Sequence, residues 1–466
     1  MDTESKRIIR ILVALSAMLI SLVIYLSYFE IFQSKSIEAH SYNRRQWLNE
    51  ENVLRGSIVD RNGKALAHSE KDGDLQTRVY KYGSLYSHII GYSYREYGKA
   101  GLEASYNKTL IGADEINPIR VITEKITGPR KQGNNLILTI DHGLQEYSEQ
   151  RLKGKKGSIV LMNPQNGEIY AMVSKPDFNP VTLRKKWEDI IEDKDSPLIN
   201  RATMGLYAPG SVFKVITAAA ALENRIDTSF KCEGSINIDG YILKNFRGTV
   251  HGPVDLTKSL AVSCNVAFAQ MGLQLGESAL RNVAEDFLFN EVIPFDLVTK
   301  SSVFPKTAMT NPELGATAIG QGKLLTTPLN MALVASAVAN EGVMMKPLIV
   351  KEIITPEGKS LRGNNPEILQ RATSLETARD IKGMMVEVVK NGTGKSAAIR
   401  NIQVAGKTGT AENETGKEHA WFIGFAPADN PRIAVAVILE NAGTTGGASA
   451  APIARDVINK ALNRMK

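Results

Sequence analysis

The segment between Arg10 and Glu30 constrains this chain most: 19 consecutive uncharged residues, ILVALSAMLISLVIYLSYF. At about 1.5 Å of rise per residue a helix of this run spans about 28 Å, close to the hydrocarbon thickness of a bilayer. The run is apolar on every helical face and terminal in position, which argues against a buried core helix. A cleaved signal is the rival, because Lys6, Arg7 and Arg10 precede the span. Its apolar part exceeds the ~7–15 residues of a usual signal, however, and only Ser34-Lys35-Ser36 resembles a cleavage site. The sequence therefore predicts an uncleaved anchor over 11–29 behind a cytoplasmic tail over 1–10. Basic residues crowd the N-terminal edge more closely than Lys35, Arg44 and Arg45 crowd the other, which places the bulk of the chain outside the cytoplasm.

The remaining composition excludes more than it selects. With 466 residues, 43% hydrophobic and 23% charged, the chain has room for an anchor and two folded domains. A net charge of +7 raises nucleic acid as a partner, but zinc spacing and aromatic RNA-binding signatures are both missing. Scattered basic residues suit an anionic envelope surface instead. Two cysteines, Cys232 and Cys264, make no disulfide framework, and a bridge between them is the lesser reading. The six histidines show no metal-binding spacing and the cysteines no cluster, so neither a metal nor another cofactor is expected.

Residues 30–140 are turn-rich and read as an elongated mixed pedestal domain. RGSIVDRNGKALA (55–67) predicts two strands around an Asn-Gly turn, GKAGLEASYNKTLIG (98–112) a short helix, and NNLILTIDHGLQEYSEQRLKG (134–154) a strand followed by an Asp141-capped helix. Residues 141–466 read as a second domain. GSIVLMNPQNGEIYAMVS (157–174) predicts a hairpin, while 402–412, 419–427 and 432–440 read as further strands. Helical patterns over 211–223, 254–273 and 326–340 lie between, and a last helix is expected from about Ala451. Strands at both ends with helices between them predict an α+β domain whose antiparallel sheet is flanked by helices.

Three short motifs carry chemistry. Ser211-Val212-Phe213-Lys214 follows Pro209-Gly210 and opens a helix; residues i and i+3 share a face, so Lys214 could take the proton of Ser211. Ser211 could equally be a helix cap and Lys214 a solvated lysine. Alone, each motif is weak: Ser105-Tyr106-Asn107-Lys108 fits the same pattern without other catalytic cues, and Ser-x-Asn occurs four times. Order supplies the specificity. Ser263-Cys264-Asn265 follows about fifty residues later inside a helical pattern, and Lys407-Thr408-Gly409-Thr410 comes late, on a strand.

In that order, the chain resembles a class B penicillin-binding protein, a membrane-anchored D,D-transpeptidase that cross-links peptidoglycan. RGSIVDRNGKALA, GLEASYN and NNLILTIDHGLQ are similar to that family's pedestal motifs. MNPQNGEIYAMVSKPDFNP, APGSVFK, SCN, IGQGKLLTTPLNMA and AGKTGTAE followed by HAWFIGFAP match its catalytic domain in order. The resemblance implies a penicillin-binding, serine β-lactamase-like fold over 141–466, without a glycosyltransferase module. It further implies peptidoglycan stem peptides as substrate, β-lactams as covalent inhibitors, and a polytopic lipid-linked glycan polymerase as membrane partner.

Acyl transfer needs a nucleophile, a base and an oxyanion site. Ser211 at a helix N-terminus is the expected nucleophile. Lys214 must be neutral to act as base, which burial and a second cation such as Lys407 would favour. Ser263 would relay a proton to the leaving amine, and Asn265 would hold the substrate amide and Lys214. Lys407, Thr408 and Thr410 offer a carboxylate-binding corner, and Gly409 would let substrate backbone approach the strand. The resemblance adds the N–H groups of Ser211 and Thr410 as oxyanion donors. Cys264 is expected to be a packed thiol beside the site. A β-lactamase or carboxypeptidase is the first alternative, but no segment after Ser263 reads like the Glu-x-x-x-Asn segment that class A β-lactamases use. A drug sensor or inactive scaffold is the second, and it would have little reason to keep all three motifs.

Overall fold

The structure, a computed structural model, describes residues 2–30, 53–72, 75–113, 132–413 and 416–465. The signal-like Ser34-Lys35-Ser36 and the Ser41-Tyr42-Asn43 match lie outside the described residues. The apolar segment forms one helix, Thr3–Tyr28, whose most apolar stretch is not buried against any of the described residues. Length and composition suffice to cross a membrane, in keeping with membrane anchoring. Helix already begins within the expected tail, because Thr3–Arg10 contains no Gly or Pro to stop it.

A six-stranded sheet dominates the pedestal, in the order Ser360–Gly363, Val350–Ile354, Asn135–Leu138, Ile58–Val59, Ala65–Asp72, Leu75–Tyr80. The expected hairpin is present, with Ile58 opposite Ala67 and the turn bracketed by a hydrogen bond from Asp60 N to Lys64 O. Two of the six strands come from 350–363, so the pedestal sheet is closed by chain that returns from the second domain. The predicted short helix divides into Gly101–Ser105 and Asn107–Leu110. Ser105 and Lys108, the second Ser-x-x-Lys match, are both exposed there. Asp141 caps His142–Arg151, its carboxylate accepting from Leu144 N at 2.9 Å.

The second domain is built on a five-stranded antiparallel sheet: Ala405–Ala411, His419–Ala426, Ile433–Leu439, Gly157–Met162, Ile169–Lys175. Its middle strand, Ile433–Leu439, is apolar at every position because both faces are covered. Ile433, Val435 and Val437 join one core with Ile453, Val457 and Ile458 of the helix Gly446–Arg464. Ala434, Ala436 and Ile438 join another with the wholly buried helix Pro328–Ala339. Thr327 caps that helix through Asn330 N. Thr326 exchanges two backbone hydrogen bonds with Tyr207, which ties the segment leading to Ser211 to this central element.

Two expected helices differ. The 254–273 pattern breaks into Leu256–Ala261 and Asn265–Asp286, because Ser263 adopts φ +59° and Cys264 caps the second helix through Ala267 N. The last helix starts at Gly446, ahead of Ala451. A Cβ at Gly446 would lie 2.2 Å from Trp421 O and 2.3 Å from Gly409 O, so the glycine that reads as a loop is what lets the helix meet the sheet.

Candidate active site

A cleft of about 840 Å³ runs along the edge strand Ala405–Ala411 and is bordered by Ser211, Ser263, Asn265, Thr408 and Thr410. Ser211 does not stand in the α-helix. It occupies a short 3₁₀ turn, Gly210–Val212, and Lys214 begins the helix Lys214–Glu223 behind it. Three residues per turn bring positions i and i+3 into line along such a turn. Gly210 adopts φ +54° and donates its N–H to Gly320 O at 2.8 Å. A Cβ on Gly320 would sit 1.9 Å from Gly210 O, which makes the Ile319-Gly320-Gln321-Gly322 turn the wall that holds Ser211. On the other side, Trp421 Nε1 donates to Ala208 O at 3.0 Å. Below that indole, Glu440 accepts from Arg201 Nε at 2.7 Å and from the Tyr207 hydroxyl.

Lys214 is fully buried. Its ammonium donates to Ser263 O at 2.8 Å, Asn265 Oδ1 at 2.6 Å and Ser263 Oγ at 3.2 Å; Ser211 Oγ is not among these acceptors. Burial lowers its pKa to about 7. Lys407, also fully buried, donates to Ser263 Oγ at 3.1 Å and to Thr408 O at 2.9 Å. Burial first, and then the charge of Lys214, hold Lys407 well below the ordinary lysine range. Ser263 Oγ thus lies between two ammonium groups. Asn265 uses its amide within the protein, accepting from Lys214 and donating from Nδ2 to Lys244 O at 2.9 Å.

The edge strand differs from expectation at Gly409. A Cβ there would meet Pro209 O at 2.9 Å and Val212 Cγ1 at 3.0 Å, so the space above the glycine is taken by the Ser211 turn. Thr408 Oγ1 bonds Thr393 Oγ1 at 2.7 Å, and Gly446 N donates to Thr410 Oγ1 at 3.4 Å. Sequence reasoning missed Thr393, Gly320 and the N-terminus of the last helix. Of these, only the Gly-x-Gly spacing around Gln321 was a signal.

Those side chains from distant segments converge, and comparison with known proteins supplies the family. Residues 157–459 match the penicillin-binding protein transpeptidase domain, and 55–136 match the penicillin-binding protein A dimerisation domain. The chain belongs to the penicillin-binding protein transpeptidase family. Peptidoglycan D,D-transpeptidase PbpA of Mycolicibacterium smegmatis is 34% identical over 97% of this chain and 98% of its own length. PbpA of Mycobacterium tuberculosis is 34% identical over the same shares. A ceftriaxone acyl-enzyme structure of M. tuberculosis penicillin-binding protein A superimposes with TM-score 0.84 at 33% identity, covering 89% of this chain and all of that one. Membership carries the enzyme class expected from the sequence, a D,D-transpeptidase.

The transpeptidase departs from expectation in its cysteines. Cys232, His251 and Cys264, which show no cluster along the chain, place their ligand atoms within 4.8 Å of one another, an arrangement that could hold a metal ion. Pairing of Phe230–Cys232 with Gly252–Val254 sets Cys232 opposite Gly252 and so beside His251, while Cys264 arrives from the Ser263 turn. Both thiols are free and buried, and Asn245 Nδ2 donates to Cys232 Sγ at 3.0 Å. Burial raises Cys264 to about 11, in keeping with a packed thiol.

Proposed function

We propose that this transpeptidase cross-links peptidoglycan stem peptides through an acyl-enzyme on Ser211. Lys214, neutral in a substantial fraction of molecules near pH 7, takes the proton as Ser211 Oγ attacks the carbonyl of the penultimate D-alanine. The N–H groups of Ser211 and Thr410 receive the oxyanion; the two segments touch there, since a Cβ on Gly210 would meet Thr410 O at 2.5 Å. Collapse expels the terminal D-alanine, whose amine is protonated through Ser263. An amine from a neighbouring stem then attacks the ester and restores the serine. Lys407, Thr408 and Thr410 hold the substrate carboxylate, aided by the start of the helix Gly446–Arg464, where N–H groups favour an anion. Asn265 orients Lys214, and Gly409 admits the Ser211 turn. A β-lactam enters the same path, but its opened ring stays attached, so the ester persists.

The observation that carries this reading is the convergence of two buried lysines on Ser263 Oγ beside Ser211 in an open cleft. Intact-mass spectrometry of the full chain in detergent with benzylpenicillin, beside a Ser211→Ala variant, tests it. A lasting adduct of one drug mass that the variant lacks is expected. Rapid drug consumption without an adduct would favour a hydrolase, and the absence of both adduct and drug consumption would sink the assignment of Ser211.

Around this site we read 1–10 as a cytoplasmic tail, 11–29 as the anchor, 30–140 as the pedestal and 141–466 as the transpeptidase domain. The catalytic domain lies on the extracytoplasmic side of a bacterial membrane, where its substrate is. The apolar helix and pedestal are the surfaces on which a polytopic glycan polymerase would bind.

A further inference from the structure

One wall of the catalytic cleft supplies cations that acyl transfer itself does not use. It is formed by the strand Tyr241–Lys244 and the 3₁₀ turn Phe246–Gly248. Among the described residues that line the cleft, Lys244 and Arg247 are the only lysine and arginine. Lys214 and Lys407 are buried behind its surface and bonded to Ser263 Oγ. Lys244 and Arg247 are exposed, and neither side chain has an ion-pair or hydrogen-bond partner among the described residues. The cleft's own carboxylates, Glu412 and Glu418, pair with neither of them.

This wall is tied to the catalytic centre. Asn265 Nδ2 donates to Lys244 O at 2.9 Å. Asn245, only 4% exposed, accepts at Oδ1 from the N–H groups of Asn265 at 2.8 Å and Val266 at 3.1 Å, and its Nδ2 donates to Thr249 O at 2.7 Å. Its carbonyl accepts from Gly248 N at 2.8 Å, which closes the turn around Arg247. A single buried side chain thus locks the Arg247 turn to the start of the helix that carries Asn265. Arg247 is held at φ +55°, the left-handed region that disfavours any residue with a Cβ. Its guanidinium lies 5.2 Å from the centre of the exposed Phe246 ring, which restrains it without spending its N–H donors. A strained arginine with its donors unspent, on a wall bonded to the catalytic helix, is suited to a planar carboxylate.

We propose that Arg247, aided by Lys244, recognises a second carboxylate on the stem peptide, upstream of the D-alanines, and so favours stems in which that group is free over stems in which it is amidated. This deepens the transpeptidase reading and rests on it. The terminal carboxylate is assigned to the corner of Lys407, Thr408 and Thr410, so the preceding residues lie elsewhere in the cleft, where its exposed cations are Lys244 and Arg247. The test measures how two pentapeptide stems ending in D-Ala-D-Ala slow benzylpenicillin acylation of the full chain in detergent. The stems are identical except that the carboxylates upstream of the D-alanines are free in one and amidated in the other. The free stem is expected to compete at about fivefold lower concentration, an advantage that shrinks as salt rises. Arg247→Gln should bring the ratio of the two inhibition constants towards one, Lys244→Gln should reduce it less, and Arg247→Lys should retain part of it. Because the ratio is taken within each protein, a general loss of folding or of acylation cancels. Equal competition by both stems in the unaltered protein, competition by neither, or a ratio that Arg247→Gln leaves unchanged overturns the proposal. Failure of the transpeptidase reading looks different: benzylpenicillin leaves no adduct on the unaltered chain, and the proposal falls with it.

Discussion

Lys214 and Lys407 direct their ammonium groups at one oxygen, Ser263 Oγ, from 3.2 and 3.1 Å. Two like charges that close, both out of water, disfavour each other's ionised form, and burial adds to the effect. The pair is therefore poised to run with a proton missing, which is the state a base requires.

Acylation should accordingly follow the titration of Lys214. The reactive form is the deprotonated amine, so the second-order rate with benzylpenicillin should rise with pH, turn over near about 7 and level off above it. Lys407, Cys264 and His251 are the other titratable groups around this ammonium, and none supplies a carboxylate that would pull the transition upward. Lys214→Ala should lower the plateau by about 10²–10⁴-fold. A rate independent of pH from about 5 to 9 would rule out Lys214 as the base.

Ser263 combines a hydroxyl that receives two lysines with a left-handed backbone of φ +59°. Removing the hydroxyl by Ser263→Ala or Ser263→Gly should depress acylation similarly. The glycine variant should nonetheless be more stable than the alanine variant by about 1 kcal/mol, since only the latter keeps the backbone strain. Chemical denaturation of the two proteins side by side measures the difference, and equal midpoints would refute a strained Ser263.

Gly320 and Gly322 stand two residues apart at φ +85° and +77°, yet they should respond differently. Alanine at 320 forces its Cβ to within 1.9 Å of Gly210 O and must move the Ser211 turn, whereas alanine at 322 meets no atom within 4 Å. Gly322→Ala should cost about 1–2 kcal/mol of stability and keep most acylation activity. Gly320→Ala should lose acylation by about tenfold or more, read as a rate per folded molecule.

Glu103 should make the pedestal sensitive to acid. Its folded pKa is depressed, so its stabilising contribution is complete above the unfolded carboxylate pKa of about 4.3 and is lost as pH falls through the lower folded value. Glu103→Gln should remove that acid transition and destabilise the chain by about 3–5 kcal/mol, because Arg55 and Arg78 would lose their shared anion. Thermal melts of both proteins from neutral pH to about pH 3 check both statements.

Along the chain, only local features were legible. The apolar run is a helix because nothing in it competes with helix; the 157–174 hairpin follows from its turn residues, and Asp141 caps as its position dictates. The three motifs were legible through residue type and order, which depend on chemistry along the chain. Packing between distant segments fixed the rest. It set Lys407 beside Lys214 although 193 residues separate their positions in the chain, returned residues 350–363 to the pedestal sheet, and gathered Cys232, His251 and Cys264. It also reassigned glycines: Gly409 and Gly446 read as openings for substrate or loop, but each is a point where two segments pack with no room for a Cβ. The physical reason is common to all of these. Propensity, capping and periodicity act over a turn or two, whereas burial, close backbone approach and charge–charge coupling depend on which distant segments share the same space.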